Sequence, residues 1–134
     1  MDSPSRAALL KHARAAQDRA YAPYSGFRVG AAVETDDGAV YTGVNVENAS
    51  YGLSICAERV ALCAAVAAGA RRISAVAVVA GDAGGAPCGA CRQFLAEFGD
   101  AATTVTFYEG GAPTTLTLAD LLPHPFGLEA NPEG

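Results

Sequence analysis

Apolar and polar positions along the chain divide it into helices and strands. After Ser3-Pro4, which suits a helix start, Leu9, Ala13, Ala16 and Ala20 recur at helical spacing until Ala22-Pro23 closes the segment. Val29–Thr35 and Ala39–Val44 read as strands joined by the turn Asp36-Asp37-Gly38. Residues 45–55 have no period and form a loop rich in Asn, Ser and Tyr, the kind of segment that often carries function. From Cys56 to Ala68 the only charges, Glu58 and Arg59, fall in the first turn, and Gly69 suits the position after the last turn. Beyond that first turn the segment is apolar on every side, which predicts a helix buried around its circumference. Ile73–Ala80 is almost continuously apolar, as in a strand covered on both faces. A glycine-rich loop, a helix from about Cys88 to Phe98 and a strand Thr103–Tyr108 follow, and the two flanking strands should be parallel. Glu109–Pro113 is too short for a crossover, so Thr114–Thr117 should return antiparallel, before a short helix Leu118–Leu122 and an irregular tail. The expected fold is a single α/β domain over residues 1–134. It is a three-layer α/β/α sandwich around a five-stranded mixed sheet, with the last strand antiparallel and residues 129–134 a mobile tail.

Composition narrows the classes of function. With 134 residues, 51% apolar, the chain suits one compact domain that buries roughly two thirds of its unfolded surface. No run approaches the length of a membrane-spanning helix, and Met1–Ser5 lacks a basic, then apolar, leader pattern. A cytoplasmic protein without a membrane partner is therefore expected, in a compartment where thiols stay reduced and paired cysteines favour metal over disulfide. The net charge of −5, with nine basic residues of which only Arg71-Arg72 are adjacent, argues against a nucleic-acid partner and fits a small neutral ligand.

The candidate chemistry lies in Cys56-Ala57-Glu58 and Pro87-Cys88-Gly89-Ala90-Cys91. Three thiols can hold a zinc ion with one coordination position open, the arrangement of a catalytic rather than a structural site. Cys63 stands seven residues beyond Cys56, about 10.5 Å along a helix axis, too far to complete the shell, and is expected to be a core thiol. His12 and His124 lie outside any ligand spacing. Both cysteine groups open predicted helices, where unpaired N–H groups favour thiolate, and Cys88 and Cys91 share one helix face. Glu58, two residues past Cys56, suits an acid/base better than a ligand. Three thiolates on Zn²⁺ sum to −1, and Arg59 in the same first turn is placed to offset that charge by donating to sulfur.

At these residues the chain resembles the zinc-dependent cytidine deaminases, specifically the small homotetrameric type acting on free nucleosides. The resemblance rests on Tyr24–Ala32, Gly43–Tyr51, Cys56–Arg59 and Pro87–Gln93, with a weaker match at Leu121–Gly127, and spans residues 20 to 128. It implies Zn²⁺ on Cys56, Cys88 and Cys91, Glu58 as proton shuttle, and hydrolytic deamination of cytidine and deoxycytidine to uridine and deoxyuridine plus ammonia, a step of pyrimidine salvage. It further implies that Asn45 and Glu47 bind the ribose hydroxyls and that Phe27 packs on the nucleoside. The Ala57 backbone would face the pyrimidine O2, Tyr51 would stand at a subunit boundary, and Phe126 would be lent to the base by a neighbouring subunit of a homotetramer. The loop Gly81–Ala86 departs from the pattern, with Ala86 where relatives often carry a small polar residue. Three rival readings are a related zinc deaminase of another cytosine-containing or aminated heterocycle, a polynucleotide deaminase, and a non-catalytic zinc module. The Asn45–Asn48 block speaks against the first. The charge, the first ligand Cys56 and the predicted final hairpin speak against the second, and Glu58 beside an open coordination position against the third.

Overall fold

The computed structural model describes residues 3–82 and 84–128; the tail expected at 129–134 lies outside the described residues. The elements follow in the order α1 (Ser3–Gln17), β1 (Val29–Thr35), β2 (Val40–Val44), α2 (Ala57–Ala67), β3 (Ile73–Ala80), α3 (Gly89–Ala96), β4 (Thr104–Glu109), β5 (Ala112–Thr117) and α4 (Leu118–Leu121). The strands form one sheet in the order β2-β1-β3-β4-β5. Only β3 and β4 are parallel; β1 is antiparallel to both of its neighbours and β5 is antiparallel to β4. The five-stranded mixed sheet and its antiparallel last strand are as the sequence predicts. Helix α1 stops at Gln17 rather than near Ala20, and α3 at Ala96 rather than Phe98.

Alternation along the strands sorts the core into two layers, because successive side chains point to opposite faces. Ala31, Val33, Val76, Val78, Val105 and Phe107 pack with α2 and Leu95 of α3 on one face. Ala32, Ala75, Ala77 and Val79 pack with Leu9, Leu10 and Ala13 of α1 on the other. Burying a side chain such as Leu62, 1% exposed, contributes about 1.5–3 kcal/mol. Two glycines let the helices approach the sheet backbone. A Cβ on Gly30 would stand 2.1 Å from the Ala13 carbonyl oxygen, and one on Gly43 would stand 2.3 Å from the Ala61 nitrogen. Close seating at Gly43 fixes the first turn of α2 against β2, and with it the residues that begin the helix.

One expectation is corrected. Helix α2 is not buried all round: Ala57, Ala61, Leu62 and Ala65 face the sheet, while Cys63, Ala64 and Ala67 are exposed. Cys63 is therefore not a core thiol of the single chain. The helix packs on β1 and β2 through one side, and among the described residues no element covers the other.

Candidate active site

Two helix beginnings meet over the sheet. Cys56 is the N-cap of α2 and Cys88 the N-cap of α3; both have extended backbone, and neither spends its side chain capping the helix. Ser, Thr, Asp or Asn would normally fill such positions and bond back to the helix N–H groups. Cysteine leaves them open and turns its sulfur outward. Cys91 lies one turn into α3 and is 0% exposed. The sulfurs of Cys56, Cys88 and Cys91 all lie within 4.8 Å of one another. Tetrahedral ligands about 2.3 Å from zinc stand about 3.8 Å apart, so small side-chain adjustments bring this trio to a zinc geometry. The donor set fits the metal. No other group of three metal-binding side chains occurs among the described residues, and within them the cluster consists of these three ligands.

Electrostatics at this corner sort the titratable groups: Cys56 is favoured as an anion, whereas Cys91 and Glu58 are not. The Cys56 thiol is lowered to about 5, first by the hydrogen bond from Cys91 and then by the Arg59 guanidinium, against the opposing effect of burial. Arg59 Nη2 stands 3.7 Å from Cys56 Sγ, within hydrogen-bonding reach of sulfur. Cys91 is driven the other way, first because its proton is held by Cys56 and then by burial and the Glu58 carboxylate. A divalent cation would release the remaining thiol protons. Glu58 is 5% exposed, and burial raises its carboxyl above the usual carboxylate range, with the Cys56 charge adding to the shift. A carboxyl that accepts and returns a proton needs this displacement.

The corner opens into a cavity of about 420 Å³. Its lining joins Cys56, Ala57, Glu58 and Cys88 with Phe27, Asn45, Glu47 and Tyr51, and Val29, Val78 and Ala80 are among its apolar residues. Asn45 and Glu47 stand in an extended stretch whose middle residue, Val46, exchanges backbone hydrogen bonds with Ile55. Both side chains also hold the loop. Asn45 Oδ1 accepts from the Val29 N–H at 2.9 Å, and Asn45 Nδ2 donates to the Phe27 carbonyl at 2.9 Å. Glu47 accepts from the N–H groups of Tyr24 and Ser25 at 3.0 and 3.2 Å and from the Ser25 hydroxyl. These bonds, the Ser25 hydroxyl foremost, lower its carboxyl. An amide has four hydrogen-bonding positions and a carboxylate about four acceptor sites, so each keeps capacity for a ligand.

Of the site residues read from sequence, Phe126 alone is away from this group. It does not line the cavity and is 71% exposed. Its backbone is held from α3, Gln93 Nε2 donating to the Phe126 carbonyl at 2.8 Å and the Phe126 N–H donating to Gln93 Oε1 at 3.0 Å. Sequence reasoning named no role for Gln93, nor for Ser25 beneath Glu47 or Arg92, which donates to the carbonyls of Pro87 and Leu121. All three sit inside the motif blocks quoted above. Apart from the Pro87 carbonyl, five residues before Arg92, their partners are distant in sequence and no spacing rule predicts them.

Comparison with known proteins agrees with this geometry. Residues 4–108 match the family model described as the cytidine and deoxycytidylate deaminase zinc-binding region. The chain is 48% identical over 128 residues to a cytidine deaminase of Halalkalibacterium halodurans, covering 92% of this chain and 96% of the relative. It is 45% identical over 124 residues to one of Sporosarcina psychrophila, covering 90% of each. The crystal structure of cytidine deaminase from Burkholderia pseudomallei superimposes with a TM-score of 0.84 at 48% identity, covering 94% of this chain and 100% of that one.

Proposed function

The chain belongs to the family of zinc-binding cytidine and deoxycytidylate deaminases, and we propose on that premise that it hydrolyses cytidine and deoxycytidine to uridine and deoxyuridine plus ammonia. One observation carries the reading: a buried Glu58 beside three converging sulfurs at the end of a nucleoside-sized cavity. Cys56, Cys88 and Cys91 would hold the zinc. Bound there, zinc supplies Lewis-acid activation of a water molecule, whose pKa falls to about 7 in such sites.

The protein residues do the rest. Glu58 removes a proton from the water and delivers it to N3 of the pyrimidine as the new C4–O bond forms. It carries the second proton to the C4 amine, so the C4–N bond breaks with ammonia as leaving group. Water contributes the oxygen and both protons, which balances the reaction. Burial suits Glu58 to this traffic by bringing its protonated and ionised forms closer in energy. The Ala57 N–H, at the first position of α2 where helical N–H groups lack intrahelical partners, faces the pyrimidine O2. Asn45 and Glu47 take the ribose hydroxyls with their remaining positions, and Phe27 packs on the nucleoside. Arg59 compensates the thiolate charge.

The working form is a homotetramer with shared sites. Two features support it: the exposed apolar stripe Cys63, Ala64 and Ala67 on α2, and the exposed aromatic side chains Tyr51 and Phe126, 81% and 71% in solvent. A second copy buries the stripe and brings Phe126 to the base. The protein acts in the cytoplasm, in pyrimidine salvage; no helix among the described residues is long and apolar enough to cross a membrane. The direct test follows the absorbance loss of cytidine together with ammonia release by zinc-loaded protein. Stoichiometric ammonia supports the assignment; absence of turnover on either cytidine or deoxycytidine contradicts it.

A further inference from the structure

The wall carrying Phe27 is held by an amide from the far side of the sheet. Gln17 ends α1, which packs on the face opposite α2, yet its Nε2 donates to the Arg28 carbonyl at 3.1 Å and to the Gly81 carbonyl at 2.9 Å. The end of α1 sits this close to the sheet because Gly30 has no side chain: a Cβ there would lie 2.7 Å from the Gln17 backbone nitrogen. The two carbonyls belong to paired strand ends in the cavity wall, one just before β1 and one just after β3. They are already joined by the Gly81 N–H donating to the Arg28 carbonyl at 2.8 Å. Phe27 leans on this joint, since a Cβ on Gly81 would stand 2.6 Å from its ring carbon Cε1.

Segment 27–29 is thus gripped along both edges. Asn45 holds the Phe27 carbonyl and the Val29 N–H on one edge; Gln17 and Gly81 hold the Arg28 carbonyl on the other. Alternate peptide groups of an extended chain point to opposite sides, so the grips oppose each other and fix the ring's rotation about the strand.

We propose that Gln17 is a positioning residue for nucleoside binding, setting the Phe27 wall by tying β1 to the loop after β3. The inference rests on the reading of this cavity as the nucleoside site. Gln17 touches neither Glu58 nor the cysteines, so its loss should weaken ground-state and transition-state binding alike.

The test uses the zinc-loaded full chain and three substitutions. Gln17→Met, which keeps length and removes both donors, should raise KM for cytidine about three- to tenfold with kcat within about twofold. Gln17→Glu, ionised and without donors, should behave like Gln17→Met, whereas Gln17→Lys, whose ammonium donates to two carbonyls, should restore KM to within about twofold of the parent. Melting temperature and zinc content are read alongside. Three results would overturn the proposal: a Gln17→Glu protein with parental KM, a Gln17→Lys protein no better than Gln17→Glu, or a lower melting temperature with KM unmoved. If the parent itself does not deaminate cytidine, the functional reading and this inference fail together; any of the other results, with the parent active, removes the inference alone.

Discussion

At the metal corner, three sulfurs and Glu58 stand on two helix beginnings packed against the sheet, with Cys91 and Glu58 almost wholly buried. Elsewhere in the cavity lining, Phe27, Tyr51 and Ile55 stand outside the main helices and strands and leave much of their surface in solvent. The first region is complete within one chain: its geometry follows from N-caps, helix seating and one glycine contact. The second is open, and apolar rings left in solvent beside a cavity offer surface for a ligand or a second chain to bury. Catalytic power should therefore reside in the first region and ligand affinity in the second. Substitutions in the two regions should separate these effects.

The largest effect belongs to the metal corner. Glu58→Gln should retain zinc and fold while turnover falls by at least about 10²–10⁴-fold, the usual worth of acid–base assistance; steady-state kinetics with metal analysis checks this. Arg59→Gln comes next. It removes the donor 3.7 Å from Cys56 Sγ, and competition against a chelator should show zinc affinity weakened about 10–100-fold, as for other residues that support metal ligands.

The rim should respond more gently and across chains. Phe126→Ala should raise KM about tenfold with a smaller change in kcat, the pattern of lost uniform binding. Refolding it together with inactive Glu58→Gln chains should give more activity than the two proteins separately, because each intact Glu58 then meets a Phe126 from its neighbour. Equal activity would mean that the rim is completed within one chain. The smallest effect concerns stability. Burial raises the folded-state pKa of Glu58, so in metal-free protein the penalty for this carboxyl is absent at low pH and grows as pH rises past its unfolded value. Metal-free Glu58→Gln should melt above the metal-free parent at pH 8, and the gap should close as pH falls toward about 4.3, the ordinary glutamate pKa.

The same contrast explains what was legible in the sequence. The strands and the two cysteine-bearing helices were readable because their signals are local: alternation, a turn glycine, and ligands at a spacing that one helix face satisfies. Glu58 and Arg59 followed from their place in a first turn. The burial of α2 was misjudged because periodicity records how apolar a helix face is and not which molecule covers it; Cys63 and Ala64 are apolar yet exposed in the single chain. Gln17, Ser25 and Gln93 were invisible for another reason. Their partners, the Arg28 and Gly81 carbonyls, Glu47 and the Phe126 backbone, are far away in sequence and become neighbours only once the sheet is assembled.

The most direct test of the account is X-ray absorption at the zinc edge of the resting, zinc-loaded protein. Three sulfurs at about 2.3 Å and one oxygen at about 2.0 Å are predicted, the oxygen exchangeable with an added anion. Four sulfurs, or a fourth ligand from the protein that no anion displaces, would contradict an open coordination position beside Glu58.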